Sequence, residues 1–162
     1  MVAAGFEPDE WDLLLLAPWT VAMGVVQADP SSGSGRKREL DALMDRIRIT
    51  QAGEEPSELV RSVALELVGG PSGPASHRVV DSDGPGDLRQ QVLNRCGALA
   101  DLLERRVAQS EADAFKRWLL MLAETVAEAA REGGVLGIGG ARVSSDERAM
   151  LQALAEALRI GP

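Results

Sequence analysis

The chain has 162 residues, a single cysteine and a formal net charge of −8. A chain of this length is expected to form one domain, residues 1–162, that buries a sufficient core without disulfides. The acidic balance and the lack of a basic stripe argue against binding to nucleic acid or to anionic lipid. One cysteine cannot form an internal disulfide, which favours a reducing cytoplasm.

The composition predicts an all-α protein. Aromatic residues make up 3% of the chain and tyrosine is absent, whereas alanine and leucine, which favour helices, are abundant. Basic charge is carried almost wholly by arginine, which is typical of a bacterial protein from a GC-rich genome. The short apolar run at 13–16 follows acidic residues, so we expect neither a signal peptide nor a membrane-spanning helix there.

Apolar periodicity predicts about seven helices separated by loops rich in glycine, proline and serine. Pro18 is expected to end a first helix near Ala17 and to begin a second one, because a proline is tolerated at the first helical position. Ser110 is expected to cap the sixth helix. The predicted helical ranges are about 8–17, 18–28, 36–49, 56–68, 87–107, 111–132 and 145–160, and the longest irregular loop is about 69–86.

Apolar residues at helical spacing predict which faces form the core. The most regular stripe is in the sixth helix, and the last helix has a shorter one that follows a Ser144–Glu147 capping box. The stripe of the sixth helix consists of Phe115, Trp118, Leu119, Leu122, Val126 and Ala129, and that of the last helix consists of Met150, Leu151, Leu154 and Leu158.

Two segments share one order of elements: an alanine-rich helix, a loop of small residues, an acidic helix start and a second amphipathic helix. They span about 11–49 and 111–160, and the second resembles the first with a register that drifts by a few residues. We interpret them as two degenerate helical hairpins that each supply half of one core. Chance likeness between two amphipathic helices is the alternative.

Short motifs within these hairpins resemble the TerB-like (tellurite-resistance-type) family. The motifs are Leu16-Ala17-Pro18 before an Ala/Val-rich helix, Ala28-Asp29 and then Glu39 in the next helix, and the closing VLGIGG loop with SSDERAMLQALAEAL. The resemblance implies an all-helical bundle of about seven helices whose acidic loops have been suggested to bind cations and whose role is largely undefined. The chain departs from the family pattern at Pro30, where a glycine is usual.

Asp29 and Glu39 are the candidate metal ligands. Read as a twelve-residue calcium loop from Asp29, the segment fails, because the required glycine is Ser34 and the closing glutamate position is Leu40. An irregular divalent-cation site using Asp29, Glu39 and backbone carbonyls is the alternative. We interpret Glu39 as a solvated carboxylate near a helix start.

Other chemistry-bearing residues favour structural roles. His77 is the only histidine, so a histidine-based metal site is excluded, and Cys96 lies on an apolar helix face where a buried thiol is expected. The loop at 133–140 lacks the strand and the Gly-Lys pair of a phosphate-binding loop, although Arg142 could meet an anion. Asp81, Asp83 and Asp87 also fail the calcium pattern and Asp87 fits helix capping.

These observations predict a non-enzymatic interaction module with no catalytic residues and no cofactor. Binding of a partner protein, in a role connected with stress response, is the leading hypothesis. One alternative is weak divalent-cation binding through the acidic interhelical loop. Another is a homo-oligomeric structural protein in which Trp11 and the apolar run at 13–16 are buried between copies.

Overall fold

The computed structural model describes residues 5–28, 36–69, 88–132 and 145–160. These residues form helices and contain no strand, which confirms the all-α prediction for them, and short described connections join α2 to α3 and α4 to α5. The predicted loops at about 69–86 and 133–140 lie outside the described ranges, apart from Gly69, which ends α3. The helices are α1 (Pro8–Ala28), α2 (Arg36–Ala52), α3 (Glu58–Gly69), α4 (Leu88–Arg106), α5 (Gln109–Glu132) and α6 (Ser145–Ala157).

Helix α1 is continuous, so the predicted break near Ala17 is wrong and the described residues contain six helices where seven were expected. Pro18 lies inside the helix, where the missing backbone hydrogen bond and the clash of the ring with the preceding turn together cost about 3 kcal/mol. Every residue from Ala17 to Val26 is buried, and the Thr20 hydroxyl donates to the Leu16 carbonyl at 3.0 Å. Burial of this apolar segment therefore outweighs the cost of the proline.

The continuity of α1 also changes the expectation about membranes. By length and composition alone α1 could cross a bilayer, whereas the interpretation with a break at Ala17 left too short a run. Of its most apolar window, 67% is buried against the rest of the chain. Helices that form the core of a globular protein have the same combination of length, composition and burial, so this single helix is weak evidence for a membrane.

Helices α1 and α5 form the centre of the bundle and pack against each other. Helix α2 follows α1 in the chain but packs mainly against α5, with α3 beside it. Helix α6 follows α5 and packs against α1 and α4 as well as against α5. The second helix of each hairpin therefore contacts the central helix of the other hairpin.

The predicted core stripe of α5 is confirmed, since all six of its residues are buried. In α6, Met150, Leu154 and Leu158 are buried and Leu151 packs against the core at partial exposure. One cap was wrongly predicted: α5 begins at Gln109, so Ser110 lies inside its first turn. The Ala112 N–H donates to the Ala108 carbonyl at 2.9 Å, which starts the helix two residues before the expected position.

Candidate functional site

Glu39 is buried, with 1% of its surface exposed, so its interpretation as a solvated carboxylate is wrong. Glu39, Leu43 and Ile47 are spaced four residues apart and form the most buried line of α2. The glutamate thus extends the core-facing stripe by one turn toward the N-terminus of the helix. A negative charge is favourable at that end of a helix because the macrodipole is positive there.

Glu147 has the corresponding place in α6. It lies in the first turn of that helix, is 2% exposed and precedes the buried Met150 by three residues. Its predicted capping partner, Ser144, is outside the described residues. The second helix of each hairpin therefore has a buried glutamate in its first turn. Apolar periodicity does not reveal these residues, because a carboxylate interrupts the apolar stripe.

The other candidate ligand, Asp29, lies outside the described residues. Within the described ranges no group of three or more histidine, cysteine, aspartate or glutamate side chains is arranged to hold a metal ion. A cation bound at Glu39 would therefore need further oxygen ligands from the segment between α1 and α2, to which Asp29 belongs. His77, Arg142 and the acidic group at 81–87 also fall outside the described residues.

Cys96 is buried on α4, as predicted, and is 1% exposed. Burial raises the pKa of its thiol to about 12, so the sulfur is protonated at neutral pH. The thiol lines a cleft between α1 and α4 together with Leu13, Thr20 and Arg95, and the enclosed volume of about 10 Å³ holds at most one water molecule. Neither the thiol nor the cleft has the reactivity or the space that a substrate site needs.

Glu111 forms a polar centre that sequence analysis missed. Its carboxylate, on α5, accepts hydrogen bonds from the Ser57 hydroxyl at 2.6 Å, from the Leu59 N–H at 3.1 Å and from the Glu58 N–H at 3.3 Å. Ser57 also accepts from the Val60 N–H at 3.1 Å. The first turn of α3 is thus capped by its own serine and by a carboxylate from another helix.

Ionisation of Glu111 is favoured by this arrangement. Burial on its own raises the pKa of the carboxyl, but the hydrogen bonds that it accepts and the charge of nearby Arg61 outweigh burial, so its pKa lies below the ordinary value. From the sequence, Glu111 is recognisable as an acidic residue in the first turn of α5, where its charge suits the dipole of that helix. It contains no signal for the contact with α3, because the partners are more than fifty residues apart in the chain.

A second polar centre joins α4, α5 and the residues after α6. Lys116 is 4% exposed and its ammonium lies 3.3 Å from Glu104, which also accepts a hydrogen bond from Arg159 at 2.9 Å. Arg159 pairs with Asp101 at 2.7 Å and has a positive φ of 58°. The Ile160 N–H donates to the Ala155 carbonyl and the Arg159 N–H donates to the Glu156 carbonyl, which is the Schellman motif at a helix C-terminus. Arg159 occupies the left-handed position of this motif, where glycine is usual.

The tryptophans are mainly part of the core. Trp19 and Trp118 are buried, and the Trp118 indole N–H donates to the Thr50 hydroxyl of α2 at 3.1 Å. Trp11 is partly buried and its ring lies 6.0 Å from that of Phe6. The burial of Trp118 agrees with its place in the predicted core stripe of α5.

Comparison of the chain with protein-family models, with curated proteins and with solved structures finds no match. The likeness to the TerB-like family thus depends on the motifs quoted above.

Proposed function

We propose that this chain is a non-enzymatic interaction module of the TerB-like kind. The observation that carries the proposal is the reciprocal packing of two hairpins, α1–α2 and α5–α6, with a buried glutamate in the first turn of each second helix. Helical scaffolds of this kind present surfaces and loops for binding. A cytoplasmic location and a role in stress response form part of the same proposal.

Corresponding hydrogen bonds support the relation between the hairpins. The Thr20 hydroxyl in α1 donates to the Leu16 carbonyl at 3.0 Å, and the Thr125 hydroxyl in α5 donates to the Met121 carbonyl at 2.9 Å. Both threonines are followed by valine and alanine, and both lie in a central helix of the bundle. The two helices therefore share a local contact in addition to their order in the chain.

The non-catalytic part of the proposal is supported by how the polar groups are used. Glu111 caps a helix, Lys116 pairs with Glu104, and the Cys96 thiol is buried and protonated. Nucleophilic and acid–base catalysis require reactive side chains that converge on space for a substrate. These side chains are instead committed to contacts that hold helices together.

A surface for a partner protein is available on α2 and α3. Leu65 on α3 is 59% exposed and Ile49 on α2 is 60% exposed, so each of these helices presents a large apolar side chain to solvent. If Leu65 contributes to binding, replacing it by glutamate should abolish binding without unfolding the chain, because exposed substitutions change stability by about 0.5 kcal/mol or less.

The experiment is purification of the tagged full-length chain from the cells that encode it, with quantification of the co-purifying proteins. We expect one partner in near-stoichiometric amount with the natural chain and with the control Arg61→Gln, an exposed polar substitution on the same helix. Leu65→Glu should lose that partner while its melting temperature stays unchanged. A natural chain that purifies alone would contradict the proposal.

Weak divalent-cation binding is the second candidate, and the burial of Glu39 is the observation that favours it. Calcium and magnesium prefer carboxylate and carbonyl oxygens. Glu39 lies in the first turn of α2, and Asp29 belongs to the segment of sequence that precedes this helix, so a buried carboxylate and a second carboxylate are ten residues apart in the chain. A site of this kind would be irregular and weak.

A cation-dependent thermal shift separates the two candidates. A site with a dissociation constant of about 100 μM would gain about 1.4 kcal/mol at about 1 mM ion, which raises the melting temperature by about 3–6 °C. The module proposal predicts a shift below about 1 °C beyond a sodium control of equal ionic strength. A larger shift that Asp29→Asn and Glu39→Gln abolish, and that Glu54→Gln retains, would favour the cation candidate.

Self-association is the third candidate, and light scattering tests it. It was suggested by the apolar run at 13–16, but Leu14 is 0% and Leu15 is 4% exposed because both pack inside the chain. Trp11, Leu13 and Leu16 pack against the core at partial exposure and offer less apolar surface than the sequence suggests. A monomer at high concentration would exclude this candidate.

A further inference from the structure

An arginine and a methionine meet between α2 and α5 in an unusual pairing. One terminal nitrogen of Arg46 lies 3.3 Å from the Met121 sulfur, which accepts its hydrogen bond. A guanidinium has five donors and usually pairs with carboxylates, whereas a thioether is a weak acceptor. Within the described ranges the buried Arg46 Nε has no acceptor at all. The guanidinium therefore has more donor capacity than its surroundings use.

The backbone around this pair is held in place by other contacts. The Arg46 carbonyl accepts from the Thr50 hydroxyl at 3.0 Å, and that hydroxyl accepts from the Trp118 indole N–H at 3.1 Å. Trp118 precedes Met121 by one helical turn on α5. The turn of α2 that bears Arg46 is thus tied to the turn of α5 that precedes the methionine, and the guanidinium is kept close to the sulfur.

We propose that Met121 is an oxidation site for hydroperoxides and that Arg46 holds the resulting sulfoxide. The sulfur lone pair attacks one peroxide oxygen, the O–O bond breaks and an S–O bond forms. The transferred oxygen is the one that carries the proton. The departing hydroxide takes that proton and leaves as water, and the alkoxide that departs from an organic hydroperoxide takes it and leaves as an alcohol. The sulfur is oxidised by two electrons and the peroxide is reduced by two.

The product fits the site better than the thioether does. A sulfoxide oxygen is a strong acceptor, so it can take the hydrogen bonds that the Met121 sulfur accepts poorly and that Arg46 Nε leaves unused. Oxidation of a packed methionine usually disrupts its surroundings, because it introduces a polar group among apolar ones. At Met121 the guanidinium supplies the partner, so the contact between α2 and α5 survives oxidation.

Accessibility separates Met121 and Met44 from the other two methionines of the described ranges. Met23 is 8% and Met150 is 1% exposed, so peroxide reaches them only when the chain opens. Met121 and Met44 are both partly exposed and pack against the core. Met44 makes no side-chain hydrogen bond within the described residues, which makes it a matched control for exposure without a guanidinium partner.

The first measurement needs no variant. The folded full-length chain is treated with hydrogen peroxide, and the oxidation of each methionine is followed by mass spectrometry of its peptides. We expect Met121 to be converted while Met23 and Met150 remain reduced. The proposal is overturned if Met121 remains reduced under conditions in which Met44 is converted.

The second measurement tests the role of Arg46 in a Met44→Leu background, where Met121 is the one half-buried methionine left among the described residues. We expect the oxidised parent to melt within about 1 °C of its reduced form. Oxidised Arg46→Leu should melt about 3–6 °C below its own reduced form, because the sulfoxide then lacks a hydrogen bond from a charged group. Arg46→Lys supplies a charged donor again, so its oxidised and reduced forms should melt at similar temperatures. Equal losses in the parent and in Arg46→Leu would overturn the proposal.

Discussion

Leu122→Ala is expected to lower the free energy of unfolding by about 2–5 kcal/mol. Leu122 is fully buried on α5, on the same face as the fully buried Leu119 and Val126. Removing three carbons there loses transfer free energy and leaves a cavity that a helix in contact with every other helix of the bundle cannot close. Urea unfolding, with the midpoint and the slope fitted separately, measures the effect.

Glu124→Ala is the matched control for this substitution. Glu124 lies two residues further along the same helix and is exposed, so its replacement should change stability by about 0.5 kcal/mol or less. Both substitutions end in alanine, so differences in helix propensity contribute little. If the two variants unfold at the same urea concentration, the assignment of the core face of α5 is wrong.

Glu111→Ala is expected to cost about 2–3 kcal/mol of stability at neutral pH. The change leaves the Glu58 and Leu59 N–H groups at the start of α3 without their acceptor and removes the 2.6 Å hydrogen bond from Ser57. Hydrogen bonds to a charged group contribute about 1.5–3 kcal/mol, and loss of a helix cap costs about 0.5–2 kcal/mol. Thermal or urea unfolding at pH 7 measures the change.

Asp113→Ala separates this cap from the general effect of an acid near a helix N-terminus. Asp113 lies in the same part of α5 and makes no hydrogen bond to α3 in the described residues. It lies just beyond the first turn of α5, where the helix dipole acts weakly, so its removal should change stability by about 0.5 kcal/mol or less. Equal losses for the two variants would mean that the contact between Glu111 and α3 contributes nothing.

The contribution of Glu111 should depend on pH in a defined direction. Its pKa in the folded chain lies below the ordinary value of 4.5, so the unfolded chain binds the proton more readily. The stabilisation is therefore present in full above the ordinary value and is lost as the pH falls through the lower pKa of the folded state. The natural chain and Glu111→Gln should differ most at neutral pH and converge in acid. A constant difference between pH 7 and pH 3 would contradict this assignment.

Helix identity and core faces were predictable because they depend on local spacing. Five of the six described helices were predicted with ends within about three residues of the observed ones, and the stripe of α5 was correct throughout. Residues three or four apart in a helix share a face whatever the rest of the chain does. That local rule also explains why Cys96 was correctly predicted to be a buried thiol.

The polar centres could not be predicted, because they depend on which helices meet. Glu39 looks like any acid in the first turn of a helix, and its burial follows from the packing of α2 against other helices. The contact of Glu111 with α3 and that of Arg46 with Met121 join residues separated by more than fifty positions. No periodicity within one segment contains information of that kind.

Pro18 marks the boundary between the two kinds of information. The local penalty of a proline was read correctly from the sequence, but the predicted break was wrong because the burial of residues 17–26 outweighs that penalty. The sequence by itself therefore determined the helical class and the apolar faces, which arise from neighbours along the chain. The tertiary structure alone decided the continuity of α1, the burial of Glu39 and Glu147, and the partners of Glu111 and Arg46, since these depend on contacts between distant segments.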